Sequence, residues 1–234
     1  MAIDFELTSE QKKLKYQIRE FSREIVRPCA EKGDRETDPQ KAFTSMRPAF
    51  VEAYKMGLPI SFLPKKYGGG GVSHVDFMIA AEELCAVDPG FSTIILVNGL
   101  GLMPLTWFAS EQQCKKWIGQ ATSKKSHDYL AGWVVSERGG TANFDHPSPN
   151  AGIQLVADYD KGNGEYVLNG EKHWPCNSGG WDLAGADTNL CIVRTDRTKG
   201  ARKASALFSW TAGRRVSHTR SSISLPIELA RTSR

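Results

Sequence analysis

Apolar residues at Leu14, Ile18, Phe21 and Ile25 recur every three or four positions, the spacing of one helical face. Thr8-Ser9-Glu10-Gln11 precedes them. A hydroxyl with a glutamine three residues on is a capping box, which opens a helix. Pro28 is expected to stop that helix, because its ring clashes with the preceding turn. The charged stretch 31–40, with Gly33 and Pro39, reads as a loop. A second helix is expected over about 48–56, with Pro48 in its first turn and Gly57 as its stop. Ser73 caps a third, running to about residue 87 with Met78, Ile79, Ala81 and Leu84 on its apolar side. The most apolar run, 91–108, is broken by Asn98, Gly99, Gly101 and Pro104. It reads as a buried helix or helix pair and not as a membrane span. Ser110-Glu111-Gln112-Gln113 is a second capping box, opening a short helix that carries Trp117.

The pattern then changes. After the polar stretch Lys124-Lys125-Ser126-His127-Asp128, short β-type runs follow at 133–135, 152–159, 166–168, 190–194 and 205–208. Turn residues separate them, including Lys161-Gly162-Asn163-Gly164. Helices first and strands second define an α+β chain. The expected fold is an N-terminal all-α domain (1–124), then an antiparallel β-barrel or sandwich (125–210), then a basic tail of little periodicity (211–234). Asn169-Gly170 suits the two positive φ angles of a type I′ turn, so a hairpin is expected there. It would join Tyr166-Val167-Leu168 to a segment ending at Trp174.

With 234 residues and 40% hydrophobic content, the chain has enough apolar material for a packed core. The net charge of +4 is unevenly spread. From residue 194 onward, ten Lys and Arg stand against Asp196 and Glu228. No stacking motif or basic helix accompanies this excess, so nucleic acid is not an expected partner. The five cysteines are odd in number, widely spaced and free of any C-x-x-C. That argues against a disulfide framework or a zinc site and for a reducing compartment. The start, Met1-Ala2-Ile3-Asp4-Phe5-Glu6-Leu7, has the pattern of neither a signal nor a transit peptide.

Two stretches carry candidate chemistry. The first ends in Trp174-Pro175-Cys176-Asn177. An indole beside small polar groups suits a flat, electron-poor ring; a core tryptophan at a hairpin end has the same pattern. The second is Trp133-Val134-Val135-Ser136-Glu137-Arg138-Gly139-Gly140-Thr141-Ala142-Asn143. Here a strand runs into a loop whose glycines let backbone N–H groups approach a ligand. Ser136 and Thr141 add hydroxyl donors. An ordinary strand-end turn is the alternative. The glycine run 68–71 lacks the lysine and the flanking strand of a phosphate loop and reads as a turn.

In these stretches the sequence resembles the acyl-CoA dehydrogenase family. Asp4-Phe5-Glu6-Leu7-Thr8-Ser9-Glu10-Gln11, Leu63-Pro64-Lys65-Lys66-Tyr67-Gly68-Gly69, Glu82-Glu83-Leu84, Ser136-Glu137, Tyr166 through Trp174 and Val193-Arg194-Thr195-Asp196 stand in the family's order. The resemblance implies a helical domain and a β-domain that bind FAD and an acyl-CoA thioester. By family pattern, Trp133, Val135 and Ser136 line the flavin, and Ser136 donates towards its reactive edge. Gly140, Thr141 and Ala142 match the loop touching the pyrophosphate, with Thr141 and Ala142 also meeting the thioester. Trp174 covers the ring, with Pro175 and Cys176 beside its reactive nitrogen. The implied reaction is α,β-dehydrogenation to a 2-enoyl-CoA, with electrons passing to an electron-transferring flavoprotein. The resemblance also implies a homo-oligomer without membrane attachment, cytoplasmic or in the mitochondrial matrix.

Three departures qualify this. Ser136 through Asn143 replaces the usual Thr-Glu-Pro-x-x-Gly-Ser-Asp, adding the cation Arg138 and placing Ala142 where a hydroxyl is common. Trp174-Pro175-Cys176-Asn177 replaces Trp-Ile-Thr-Asn, exchanging a hydroxyl for a thiol and removing an N–H. The family's third, helical domain carries its catalytic glutamate, and no counterpart precedes Arg234. The serine- and arginine-rich end is therefore expected to be truncated, frame-shifted or divergently spliced. No carboxylate here is assigned as the catalytic base; Glu137 is read as structural. Weak or absent dehydrogenase activity is expected of the chain alone. A binding fragment or subunit, and a flavin oxidase or monooxygenase on the same scaffold, are the alternatives.

Overall fold

A computed structural model describes residues 6–123, 127–139, 146–201, 205–210, 223–226 and 229–230. By contacts the chain forms two compact units: Met1–Leu96 with Lys124–Asp128, and Val97–Ser123 with Tyr129–Arg234.

The first unit is helical. Helix α1 (Ser9–Phe21) begins at the Thr8 cap, where Thr8 and Gln11 exchange both bonds of the capping box. Pro28 does not stop it. The chain passes through a π-helical turn, Ser22–Val26, closed by the Arg27 N–H on the Ser22 carbonyl. It continues as α2 (Arg27–Asp34), with Pro28 in the first turn of the new segment. A π turn inserts one residue into the helical repeat, so the buried stripe shifts from Ile25 to Val26. Val26 is fully buried, whereas Ile25 is 37% exposed. The expected loop at 31–40 is likewise mostly helix. Helix α3 (Pro39–Ser45) starts from Asp38, whose carboxylate accepts from the Gln40 and Lys41 N–H groups. Helix α4 (Arg47–Lys55) ends at Gly57, in the left-handed conformation at φ 77°. Ser73 caps α5 (His74–Cys85) as expected. The division between the units falls within α6 (Pro89–Leu100).

Helices α1 and α5 are joined by a polar contact set into the apolar interface. Arg19 donates to both oxygens of Glu83, at 2.8 and 2.9 Å, and Lys15 lies 3.5 Å away. The Glu83 side chain is only 7% exposed. Hydrogen bonding from Arg19 holds its carboxyl below the usual carboxylate range, against the opposing effect of burial. A depressed folded-state pKa gives stability that is complete above the unfolded value and lost as pH falls through the folded one. The loss therefore begins near about pH 4 and continues below it. In urea titrations across this window, Glu83→Gln is expected to flatten the acid decline relative to wild type. Parallel declines would remove Glu83 from the account.

In the second unit, the apolar run forms the end of α6 and the short α7 (Leu105–Phe108), separated by a turn at 101–104. By length and composition, residues 89–108 would suffice to cross a membrane; 61% of the most apolar window is buried inside the protein. Helix α8 (Glu111–Ala121) carries the second capping box and buries Cys114, Trp117 and Ile118. The strands are β1 (Ala131–Val134), β2 (Val156–Asp160), β3 (Glu165–Asn169), β4 (Thr188–Arg194), β5 (Ser205–Trp210), β6 (Ile223–Pro226) and β7 (Leu229–Ala230). They make one sheet in the order β6-β3-β2-β4-β5-β7, with β1 beside β4. Most of its pairings are antiparallel, as expected, and the sheet is mixed because β4 runs parallel to β1 and meets β2 in parallel at Val156 and Arg194. All residues of β4 except Ile192 are buried, as suits the central strand. Val134, Leu155, Ala157, Leu168, Cys191, Val193 and Ala206 form the core under it.

Asn169-Gly170 does not form the expected hairpin. The hairpin is β2–β3, turning at 161–164, where Asp160 accepts from the Gly162 and Asn163 N–H groups. Of the Asn169-Gly170 pair only Gly170 has positive φ, at 139°. A Cβ there would lie 2.8 Å from the Leu155 Cα, so the glycine serves a close crossing of two chains.

Candidate functional site

Two segments leave the sheet near each other within the second unit. One follows β1, from Val135 to Gly139; the other follows β3, from Gly170 onward. The His173 N–H donates to the Ser136 carbonyl at 2.8 Å. The Lys172 ammonium donates to the Val135 carbonyl at 2.9 Å and pairs with Glu137 at 2.8 Å. Farther along, Asn177 Nδ2 donates to the Ala131 carbonyl at 3.3 Å. A Cβ on Gly132 would stand 2.4 Å from Ser178 Oγ, so glycine is what allows this approach. These anchors bracket Trp133 on one segment and Trp174-Pro175-Cys176 on the other. The segments that the sequence reading paired are thus brought together, although some forty residues separate them.

Exposure sorts the residues of the site. Val135 is buried, while Trp133 and Ser136 are half-buried. Pro175 and Cys176 are exposed, and Trp174 is 77% exposed. Trp174 also has φ 53° and Asn177 φ 63°. Asparagine tolerates that region, whereas a bulky residue there is an outlier of the kind that gathers at ligand sites. The His173 ring lies 5.2 Å from the indole, and Arg138 Nε donates to His173 Nε2 at 3.3 Å. Arg138 thereby places an exposed cation beside the platform. Gly140, Thr141 and Ala142 lie outside the described residues.

Glu137 sits under the site as a buried hub. It accepts from the Gln154 and Leu155 N–H groups at 2.6 and 3.0 Å, besides Lys172. Burial pushes the neighbouring Cys191 thiol up to about 12. It is thus a neutral core residue at physiological pH, whereas Cys176 lies exposed on the surface. Sequence reading did not single out Lys172 as a site residue, since nothing within Gly170-Glu171-Lys172-His173 marks its side chain as buried. Nor did it single out Arg194, which is 2% exposed and donates to the carbonyls of Pro149, Ala151 and Ile153.

A helical unit and a mixed sheet, with an exposed tryptophan in the segment that follows β3, define a class represented among known proteins. The model of the acyl-CoA dehydrogenase N-terminal domain matches residues 8–125. The chain belongs to the acyl-CoA dehydrogenase family. It is 34% identical over 199 residues to nitroalkane oxidase from Fusarium oxysporum, covering 84% of this chain and 44% of that protein. It is 31% identical over 210 residues to the short-chain-specific acyl-CoA dehydrogenase of Clostridium acetobutylicum, covering 88% and 49%. Among solved structures, an active-site variant of nitroalkane oxidase crystallized with 1-nitrooctane is similar at TM-score 0.80 and 31% identity, over 89% of this chain and 50% of that one. Acyl-CoA dehydrogenase from Bacillus anthracis complexed with FAD is similar at TM-score 0.70 and 25% identity, over 88% and 32%. The chain spans about half the length of the curated relatives it matches.

Proposed function

We propose that this chain is the flavin-holding part of an FAD-dependent oxidoreductase, acting as an oxidase on a small nitroalkane-type substrate. The observation that carries the flavin reading is the 2.8 Å bond from the His173 N–H to the Ser136 carbonyl. It ties Ser136, whose hydroxyl-bearing side chain is half-buried, to the residue that immediately precedes the exposed Trp174. A bare indole at 77% exposure in a strained conformation fits a flat ring that would cover it. Trp174 would stack on the isoalloxazine, Trp133 and Val135 would line it, and Ser136 would donate to its edge. FAD, when bound, would supply the two-electron acceptor. The FAD complex of the structurally similar acyl-CoA dehydrogenase supports this cofactor.

The oxidase assignment is favoured by the 34% identity to a nitroalkane oxidase. Arg138, exposed beside the platform, suits a substrate with an anionic or strongly dipolar head. The second reading is α,β-dehydrogenation of an acyl-CoA, with an electron-transferring flavoprotein as acceptor and a homo-oligomer as the working state. The identity to the Clostridium enzyme supports that reading.

The test is reconstitution of the purified chain with FAD. Bound flavin should give near-ultraviolet and blue absorbance after gel filtration. It should also slow alkylation of Cys176 by iodoacetamide by about tenfold, as expected for a thiol covered by a ligand of roughly micromolar affinity. Unprotected Cys176 and colourless protein would sink both readings. With flavin bound, hydrogen peroxide formed from a nitroalkane supports the first reading; reduction of ferricenium by an acyl-CoA supports the second.

A further inference from the structure

The Glu137–Lys172 pair has no role in the reading above. Both side chains are 6% exposed and their charges are 2.8 Å apart. Around them lie the Val135 carbonyl, the Gln154 and Leu155 N–H groups and the buried Cys191. A buried ion pair seldom stabilises a fold better than apolar residues of the same volume, because desolvation offsets the attraction. What such a pair supplies is register: the charges tolerate one arrangement and penalise every other.

The register held here is that of the two site segments. Lys172 bonds to Val135 and Glu137, the residues on either side of Ser136. It stands two residues before Trp174. Glu137 in turn is tied to the chain entering β2 through Gln154 and Leu155. We propose that Glu137 and Lys172 are positioning residues, a buried clamp that fixes the spacing between Ser136 and Trp174 and thereby sets how the ligand ring is stacked and hydrogen-bonded. The identity of that ligand rests on the flavin reading; the clamp itself does not.

The test pairs the single variants Lys172→Met and Glu137→Gln with the double variant. Lys172→Met alone leaves a buried carboxylate uncompensated and is expected to destabilise. The double variant keeps side-chain volume and removes both charges, but glutamine has one acceptor oxygen and serves only one of the Gln154 and Leu155 N–H groups, so stability should recover only part of that loss. Site order should not return with it. In protein labelled with fluorotryptophan, the Trp174 resonance, assigned by Trp174→Phe, is expected to be single in wild type and broadened or split in the double variant. FAD affinity should fall about tenfold, the size of one lost aromatic stacking contact, and the flavin spectrum should change. A double variant more stable than Lys172→Met, with one sharp Trp174 resonance and FAD affinity within about twofold of wild type, would overturn the clamp. If wild type binds no FAD, the flavin reading fails. The fluorine spectrum of the ligand-free chain still decides the clamp.

Discussion

Arg194→Met is expected to lower stability by about 3–5 kcal/mol. The guanidinium is buried and donates to the carbonyls of Pro149, Ala151 and Ile153. Methionine replaces most of the stem but donates nothing. Each buried carbonyl left without a donor costs roughly 1–3 kcal/mol. Part of that is relieved if the segment shifts towards water, and part is offset because the arginine's own desolvation cost disappears. The same segment supplies the Gln154 and Leu155 N–H groups that hold Glu137, so ligand affinity should fall along with stability. Arg194→Lys should lie between wild type and Arg194→Met, since a point charge cannot reach three carbonyls in a planar fork. Urea unfolding checks both variants. A loss under about 1 kcal/mol for Arg194→Met would show that water readily replaces the guanidinium.

Trp174→Gly is expected to separate stability from binding. The indole is 77% exposed at φ 53°. Holding an L-residue there costs on the order of 1–2 kcal/mol, and glycine occupies that region freely. Glycine also loosens the unfolded chain, worth about 0.4–1 kcal/mol against folding. The balance is a protein about as stable as wild type or up to about 1 kcal/mol more stable. Aromatic stacking on a flat ring is worth roughly 1–3 kcal/mol, so affinity for FAD should drop about tenfold to a hundredfold. Urea midpoints and flavin-fluorescence titrations measure the two effects independently. Lower stability with unchanged flavin binding would make Trp174 a packing residue, the alternative that its sequence context allows.

The legible parts of this chain are those decided within a few residues. Thr8, Ser73 and Ser110 each cap a helix where their spacing predicts one, because a cap bond reaches only three residues along the chain. The strands β1 to β5 fall near the β-type runs. Trp133–Ser136 and Trp174–Cys176 were legible as candidates because indoles, hydroxyls and glycines at strand ends are chemically distinctive. Their approach to each other was legible only through family resemblance.

Local cues misled where a change in helical winding or a distant partner outweighed them. Pro28 was read as a stop, but a π turn before it lets the chain resume as helix with Pro28 in its first turn. Asn169-Gly170 has hairpin chemistry, yet strand pairing set the turn at 161–164 and left Gly170 to cross Leu155. Two strands, β6 and β7, arise after residue 208, where periodicity is weak, by pairing with β3 and β5.

By itself, then, the sequence determined where the helices capped by Thr8, Ser73 and Ser110 begin, where composition turns from helical to β-type, and which side chains are chemically suited to hold a flat ring. Only the tertiary structure decided that β4 runs parallel to β1, that Lys172 reaches Glu137 across thirty-five residues, and that Arg194 is caged by carbonyls more than forty positions away. The physical reason is range. Propensity and capping act over one turn of chain, whereas burial, ion pairing and the strain at Trp174 exist only once distant segments have excluded water between them.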